Sequence, residues 1–257
     1  MRATLIAILV AAWGGTLSAW ANPRRSHQRR WWPDASRWKR AARAALGQPE
    51  TWVPLVGAAF IAAGGWDEDI VEHASDSNPL FGSQDEADTT GDMLLVALEV
   101  GMYASAVAVS DESAYVPAML KRTAVEFLGT AGAASAGNEF KHLAGRERPN
   151  GGKYSFPSDH STRAFAFAGM TRRNIDALQL NPFCRKSLKL ASTSAAAATA
   201  WARVEANAHY PTDVLAGAGL GNLVSVFLHD AFLGEDCAAS VQTTADGHVM
   251  LVMSFPF

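Results

Sequence analysis

Apolar residues along this chain gather into long runs instead of alternating with polar ones. Six such runs, rich in alanine, leucine and methionine, fall near residues 52–64, 93–109, 123–137, 162–172, 187–204 and 212–232. Those side chains lose little freedom in a helix, so each run predicts one. Gly and Pro clusters punctuate them, as at Gly64-Gly65, Asn78-Pro79, Asn150-Gly151-Gly152 and Asn181-Pro182. The last residues differ: 241–244 and 249–255, separated by Asp246-Gly247, read as a short β-hairpin. The pattern predicts an all-α domain of six helices with a C-terminal hairpin. As membrane spans the runs are weak. Residues 52–64 are too few, and Glu99 and Glu126 interrupt two others, whereas a span needs about 20 mostly apolar residues. The mean hydropathy of +0.01 is low for a chain built wholly of spans.

Charge divides the chain into blocks. The formal net charge of −3 does not point to nucleic acid as a partner. Residues 24–43 hold eight Lys and Arg, including Arg37, Lys39, Arg40 and Arg43, and 44–120 hold none. Within that second stretch Asp67, Glu68, Asp69, Glu72, Asp76, Asp85, Glu86, Asp88 and Asp92 cluster. Such blocks reflect either sidedness or two solvated segments of opposite sign. Trp31, Trp32 and Trp38 sit among the arginines. That mixture suits a membrane interface or packing on the helical core.

Arg2, the apolar run 3–10 and Ala19-Trp20-Ala21 together resemble a signal peptide cut after Ala21. An uncleaved anchor stays open, because the basic block follows directly. The expected divisions are a signal peptide or anchor at 1–21, a basic aromatic arm at 22–50, a helical domain at 51–235 and a tail at 236–257. Cys184 and Cys237 are the two cysteines. They could pair in an oxidising compartment or remain two thiols.

Three polar clusters sit at the ends of the predicted helices. Residues 141–149 carry Lys141 and Arg148. Residues 156–161 carry Ser158, Asp159 and His160. Residues 203–213 carry Arg203, His209 and Asp213. These types suit phosphate-ester hydrolysis. The charged equatorial oxygens call for fixed cations and donors, which Lys141, Arg148 and Arg203 supply. Ser158 offers a hydroxyl and, at a helix N-terminus, the amides beyond it. A neutral imidazole can attack phosphorus. His209 suits that role, with Asp213 four residues on to hold its Nδ1 proton. His160 is the available acid for the leaving oxygen. Pro211 marks a helix start just after His209.

The three clusters resemble the signature of the type 2 phosphatidic acid phosphatase and vanadium haloperoxidase superfamily. Lys141, Arg148 and Pro149 match its first motif, Lys-x6-Arg-Pro. Pro157, Ser158 and His160 match Pro-Ser-Gly-His, with Asp159 in the glycine's place. Arg203, His209 and Asp213 match Ser-Arg-x5-His-x3-Asp, with Ala202 in the serine's place. The match runs from 141 to 213, with likeness through 217.

The resemblance implies a six-helix core, with the first two motifs between helices three and four and the third between five and six. The six runs place the clusters in those intervals. It also implies a phosphatase acting on phosphate monoesters or diphosphates, lipid phosphates foremost. The reaction would pass through a phosphohistidine and use no metal or other cofactor. The expected catalytic residues are His209, His160 and Asp213. The expected phosphate-binding set is Lys141, Arg148, Ser158, Asp159 and Arg203. The expected partners are a lipid phosphate or other phosphomonoester and a membrane surface, with no nucleic acid. The expected place is exported: periplasmic, or membrane-associated with the site on the outer side of the inner membrane. A vanadium-dependent haloperoxidase stays open, because the same constellation binds vanadate. So does a non-catalytic lipid-phosphate binding protein whose site Asp159 has disabled. Arg146 lies outside the matched positions and reads as surface. Asp67, Asp69, His73 and Asp76 read as a solvated loop, since their spacing fits no metal site.

Overall fold

The computed structural model describes residues 32–109, 115–234, 238–243 and 249–254. The expected leader at 1–21, Trp31 and Cys237 lie outside those residues. Among the described residues the helices are α1 (Ala35–Leu46), α2 (Pro49–Gly64), α3 (Asp67–Ser77), α4 (Gln84–Ala108), α5 (Tyr115–Ala144), α6 (Asp159–Ala177), α7 (Pro182–Glu205) and α8 (Pro211–Leu233). Strands β1 (Ala238–Thr243) and β2 (Val249–Ser254) pair antiparallel, with Val241 opposite Leu251. The chain is all-α with a C-terminal hairpin, as its pattern predicts.

The six apolar runs became α2, α4, α5, α6, α7 and α8. Several of these helices start earlier than the runs because their first turns are polar and capped. Ser83 accepts the Glu86 N–H at 3.2 Å to open α4, and Asn181 accepts the Cys184 N–H at 2.9 Å to open α7. Pro49, Pro182 and Pro211 occupy first helical positions, where no N–H is needed.

Two helices carry no long apolar run and were not predicted. Helix α1 forms from the basic segment, capped by Asp34, whose carboxylate accepts the Arg37 N–H at 2.8 Å. Its inner face buries Ala41 and Ala45, and Trp38 packs on Phe227 and Phe232 of α8. Helix α3 corrects the reading of the acidic segment as a loop. Asp67, Glu68 and Asp69 fill its first turn, where the positive end of the helix dipole stabilises carboxylates.

Helices α6 and α8 pack at the centre of the bundle, around Phe167, Met170, Val214 and Ala218, with Met102 of α4 and Val204 of α7. Glycines on α8 allow their close approach. A Cβ at Gly221 would run into the Thr162 carbonyl, and one at Gly217 would lie 2.6 Å from the Ser158 oxygen. The outward faces are apolar too. Val53, Val56 and Phe60 of α2, Met93, Val96 and Val100 of α4, and Phe127 and Leu128 of α5 are all more than half exposed. Among the described residues, α4 and α8 are long and apolar enough to cross a membrane.

Candidate active site

Two helix N-termini meet at one end of the bundle. Ser158 caps α6, its oxygen accepting the Ser161 N–H at 3.5 Å. The Ser158 N–H donates to the Asp213 carbonyl at 3.0 Å, and the Ser161 hydroxyl donates to the Val214 carbonyl at 2.5 Å. These bonds fasten the start of α6 to the start of α8. The Asp213 carboxylate accepts the Tyr210 N–H at 2.9 Å, which closes the first turn of α8.

His209 lies in the turn between α7 and α8 and is 2% exposed. Its N–H and that of Ala208 each donate to the Arg203 carbonyl at 3.1 Å, so the turn folds back on the end of α7. Nδ1 is 3.9 Å from Asp213 Oδ2, too long for a hydrogen bond. Ser155 occupies the gap. Its hydroxyl donates to Asp213 Oδ2 at 2.5 Å, and its oxygen lies 3.4 Å from Nδ1. Asp213 therefore bears on His209 largely through a serine. Burial holds the His209 pKa below its ordinary value; Asp213 opposes that shift, while Arg148 and Arg203 add to it. The imidazole is neutral at pH 7.

Asp213 has a second support. Arg146 Nη1 donates to its Oδ1 at 2.9 Å and to Thr212 Oγ1 at 2.7 Å, while Nη2 meets Asp67 at 2.9 Å. The guanidinium also lies 4.0 Å over the Tyr210 ring. Asp67 in turn accepts the Thr212 N–H at 3.0 Å and its hydroxyl at 2.5 Å. Arg146 is thus no surface residue, and Asp67 is no solvated loop acid. The pair clamps the start of α8 to α3 and α5.

The cations gather around this nucleus. Arg203, in the last turn of α7, has its side chain 8% exposed and donates through Nη1 to Asp88 of α4. Its Nε is buried without a partner among the described residues, and so is that of Arg148. The Arg148 N–H donates to the Gly152 carbonyl at 2.7 Å, which fixes the loop that carries it. Lys141 ends α5. Burial lowers its pKa, Asp159 opposing and Arg148 adding, so these three charges lie within reach of one another. Asp159, at the glycine position of the second motif, is half-buried in the first turn of α6.

His160 sits beside it with its side chain 28% exposed, and its Nε2 is 2.8 Å from Asp92 Oδ1. Burial and Arg203 lower its pKa, while Asp92 and Asp159 raise it. Asp88 and Asp92 are four residues apart, hence on one face of α4. That face brings one carboxylate to Arg203 and one to His160.

The eight expected site residues thus gather at one end of the bundle, on the ends of α5, α6, α7 and α8. Residues 123–235, which contain all eight, match the PAP2 superfamily. That segment is similar to the PAP2 superfamily, and the site lies within it. The crystal structure described as the first transmembrane PAP2 type phosphatidylglycerolphosphate phosphatase from Bacillus subtilis is similar to the chain. It has 20% sequence identity and a TM-score of 0.52, covering 70% of this chain and 92% of that one. The likeness shows that the two share a fold. No curated protein matches the chain. The fold is thus that of a PAP2-type phosphatase.

Sequence reasoning missed five residues that the structure brings to the candidate site: Asp67, Asp88, Asp92, Arg146 and Ser155. The four-residue spacing of Asp88 and Asp92, just before an apolar helical run, was the available signal. Nothing along the chain tied Ser155 or Arg146 to Asp213, 58 and 67 residues away.

Proposed function

We propose that this PAP2-like domain is a phosphatase that works through a phosphohistidine on His209. One observation carries the reading: a buried, neutral imidazole lies beside two guanidinium groups whose Nε donors have no partner among the described residues. Buried donors without partners cost about 1–3 kcal/mol each, and phosphate oxygens would satisfy them. Arg148, Arg203 and Lys141 hold the phosphate with Ser158 and the first amides of α6.

The reaction has two halves. The Nε2 lone pair of His209 attacks phosphorus as the bond from phosphorus to the leaving oxygen breaks. His160, protonated, gives its proton to that oxygen. Nδ1–H of His209 faces Ser155 and through it Asp213, which stabilises the positive charge that develops on the ring. Water then gives a proton to His160 and attacks phosphorus, and the P–N electron pair returns to Nε2. Fixed cations carry the charge neutralisation, so the chemistry needs no metal. Asp92 holds Nε2 of His160, so Nδ1 is the atom that moves the proton.

The apolar outer faces of α2, α4 and α5 support membrane association and a lipid phosphate as substrate. The apolar start of the chain supports export. Arg122, Arg172, Arg173, Arg185 and Lys186 lie on the helix ends away from the site, which supports an outward-facing catalytic end.

The test is phosphate release in EDTA from a panel of lipid phosphates and a soluble aryl phosphate, beside His209→Ala. Turnover that survives EDTA and vanishes in the variant is expected. Activity unchanged in the variant would refute the nucleophile. Folded protein that turns over nothing, but oxidises halide with peroxide and vanadate, would assign the site to haloperoxidase chemistry.

A further inference from the structure

Asp88 stands near the start of α4, outside the three polar clusters of the sequence. Its carboxylate accepts a hydrogen bond from Nη1 of Arg203, the cation at the end of α7. The partners are unlike: the Arg203 side chain is 8% exposed and that of Asp88 is 54%. Helix packing builds the contact. Gly91 is buried three residues beyond Asp88, and a Cβ there would lie 3.1 Å from the Ala202 Cβ and 3.9 Å from the Arg203 Cδ. A larger residue at 91 would push α4 away from the end of α7, so the glycine is what lets a carboxylate of α4 reach Arg203.

As a stabilising device the pair is poor, because water screens a half-exposed carboxylate. Beside an anion site it is a cost, since its charge opposes that of the anion. What it gives Arg203 is a direction. A guanidinium is a rigid planar fork, so a bond at Nη1 fixes the plane in which Nε donates. That Nε is buried and has no partner among the described residues. Arg203 is also close enough to His160 and His209 to lower the pKa of both. Its orientation therefore bears on the same space as the two imidazoles.

We infer that Asp88 is a positioning residue for Arg203 and also sets how tightly the site holds free phosphate. It keeps the guanidinium turned so that Nε meets a phosphate oxygen, and its negative charge weakens the grip on the anion. That charge acts on every phosphate. A substrate is held through its organic part as well, whereas inorganic phosphate is not, so the product is the species that gains an exit. The inference rests on the reading that Arg203 binds the phosphate.

Asp88→Ala and Asp88→Asn in the full-length protein test it, because Asn can still accept from Nη1 but carries no charge. For each, kcat on the soluble aryl phosphate, the affinity for inorganic phosphate by calorimetry and the thermal midpoint are measured. Asp88→Ala is expected to lower kcat about tenfold, and Asp88→Asn to keep it within about threefold of wild type. Asp88→Asn is expected to bind inorganic phosphate about three- to tenfold more tightly, as one partly screened charge is removed. A merely structural role would move the thermal midpoint and leave the phosphate affinity alone. Phosphate affinity unchanged in Asp88→Asn, or kcat equally low in both variants, would overturn the inference. If Asp88→Ala fails to fold, the phosphate affinity of Asp88→Asn decides by itself. Failure of the underlying reading looks different: wild type would neither hydrolyse the aryl phosphate nor bind inorganic phosphate, and the inference would fall with it.

Discussion

The site contains two pairings of an imidazole with a carboxylate, built in opposite ways. His209 and Asp213 are 2% and 0% exposed, held apart at 3.9 Å and bridged by Ser155. His160 and Asp92 are 28% and 62% exposed and touch directly at 2.8 Å. Burial serves a nucleophile, because it keeps the ring neutral and fixes the direction of its lone pair. Exposure serves an acid that must become a base within one turnover, because it must trade protons with water. The difference lies in the surroundings and not in the residue types.

The largest expected effect comes from removing the buried ring. His209→Ala should lower turnover by at least about 10⁴-fold on every substrate, measured as phosphate release. His160→Ala should cost about 10²–10⁴-fold on alkyl and lipid phosphates. It should cost much less on a nitrophenyl phosphate, whose leaving oxygen needs no proton. Equal losses on both substrates would mean that His160 is not the acid.

Ser155→Ala probes the bridge. Asp213 would lose a buried donor, so unfolding should become easier by about 1–3 kcal/mol, with turnover reduced even where the protein remains folded. Denaturant titration and steady-state rates separate the two effects. Asp92→Asn probes the exposed pair and should cost no more than about fivefold, since such pairs are worth about 0.2–1 kcal/mol. Asp92 raises the His160 pKa against burial and Arg203. Removing it should therefore move the basic limb of the pH–rate profile to lower pH.

The smallest effect concerns stability. The folded pKa of His209 lies below its unfolded value near 6.5. Below that pH the unfolded chain binds the proton first, so the stability tied to this ring is complete above about pH 6.5 and is lost as pH falls. Thermal midpoints should drop between about pH 6.5 and 5, and drop less in His209→Ala.

The groups of the candidate site were legible because each motif is local. Lys141 and Arg148, Ser158 and His160, and Arg203, His209 and Asp213 all lie within 11 residues of their partners in the motif. The six long helices were legible from runs of good helix formers. Helix α3 was not, because its first turn is acidic and its apolar positions too few. Arg146 illustrates the limit at the site. Two residues from a matched arginine, it looked like loop charge, and only Asp67 and Asp213 reveal it as a clamp.

By itself the sequence determined which chemistry is available: two imidazoles, three cations, a capping serine and a carboxylate, each at the end of a helix-forming run. Residue types and local spacing carry that information. Only the tertiary structure decided which imidazole is buried, that Ser155 stands between His209 and Asp213, and that α4 supplies a carboxylate to His160 and another to Arg203. It also decided that the basic segment folds as α1 against α8. Those facts depend on which helices touch, and touching is set by close packing, such as the glycine-lined approach of α8 to α6.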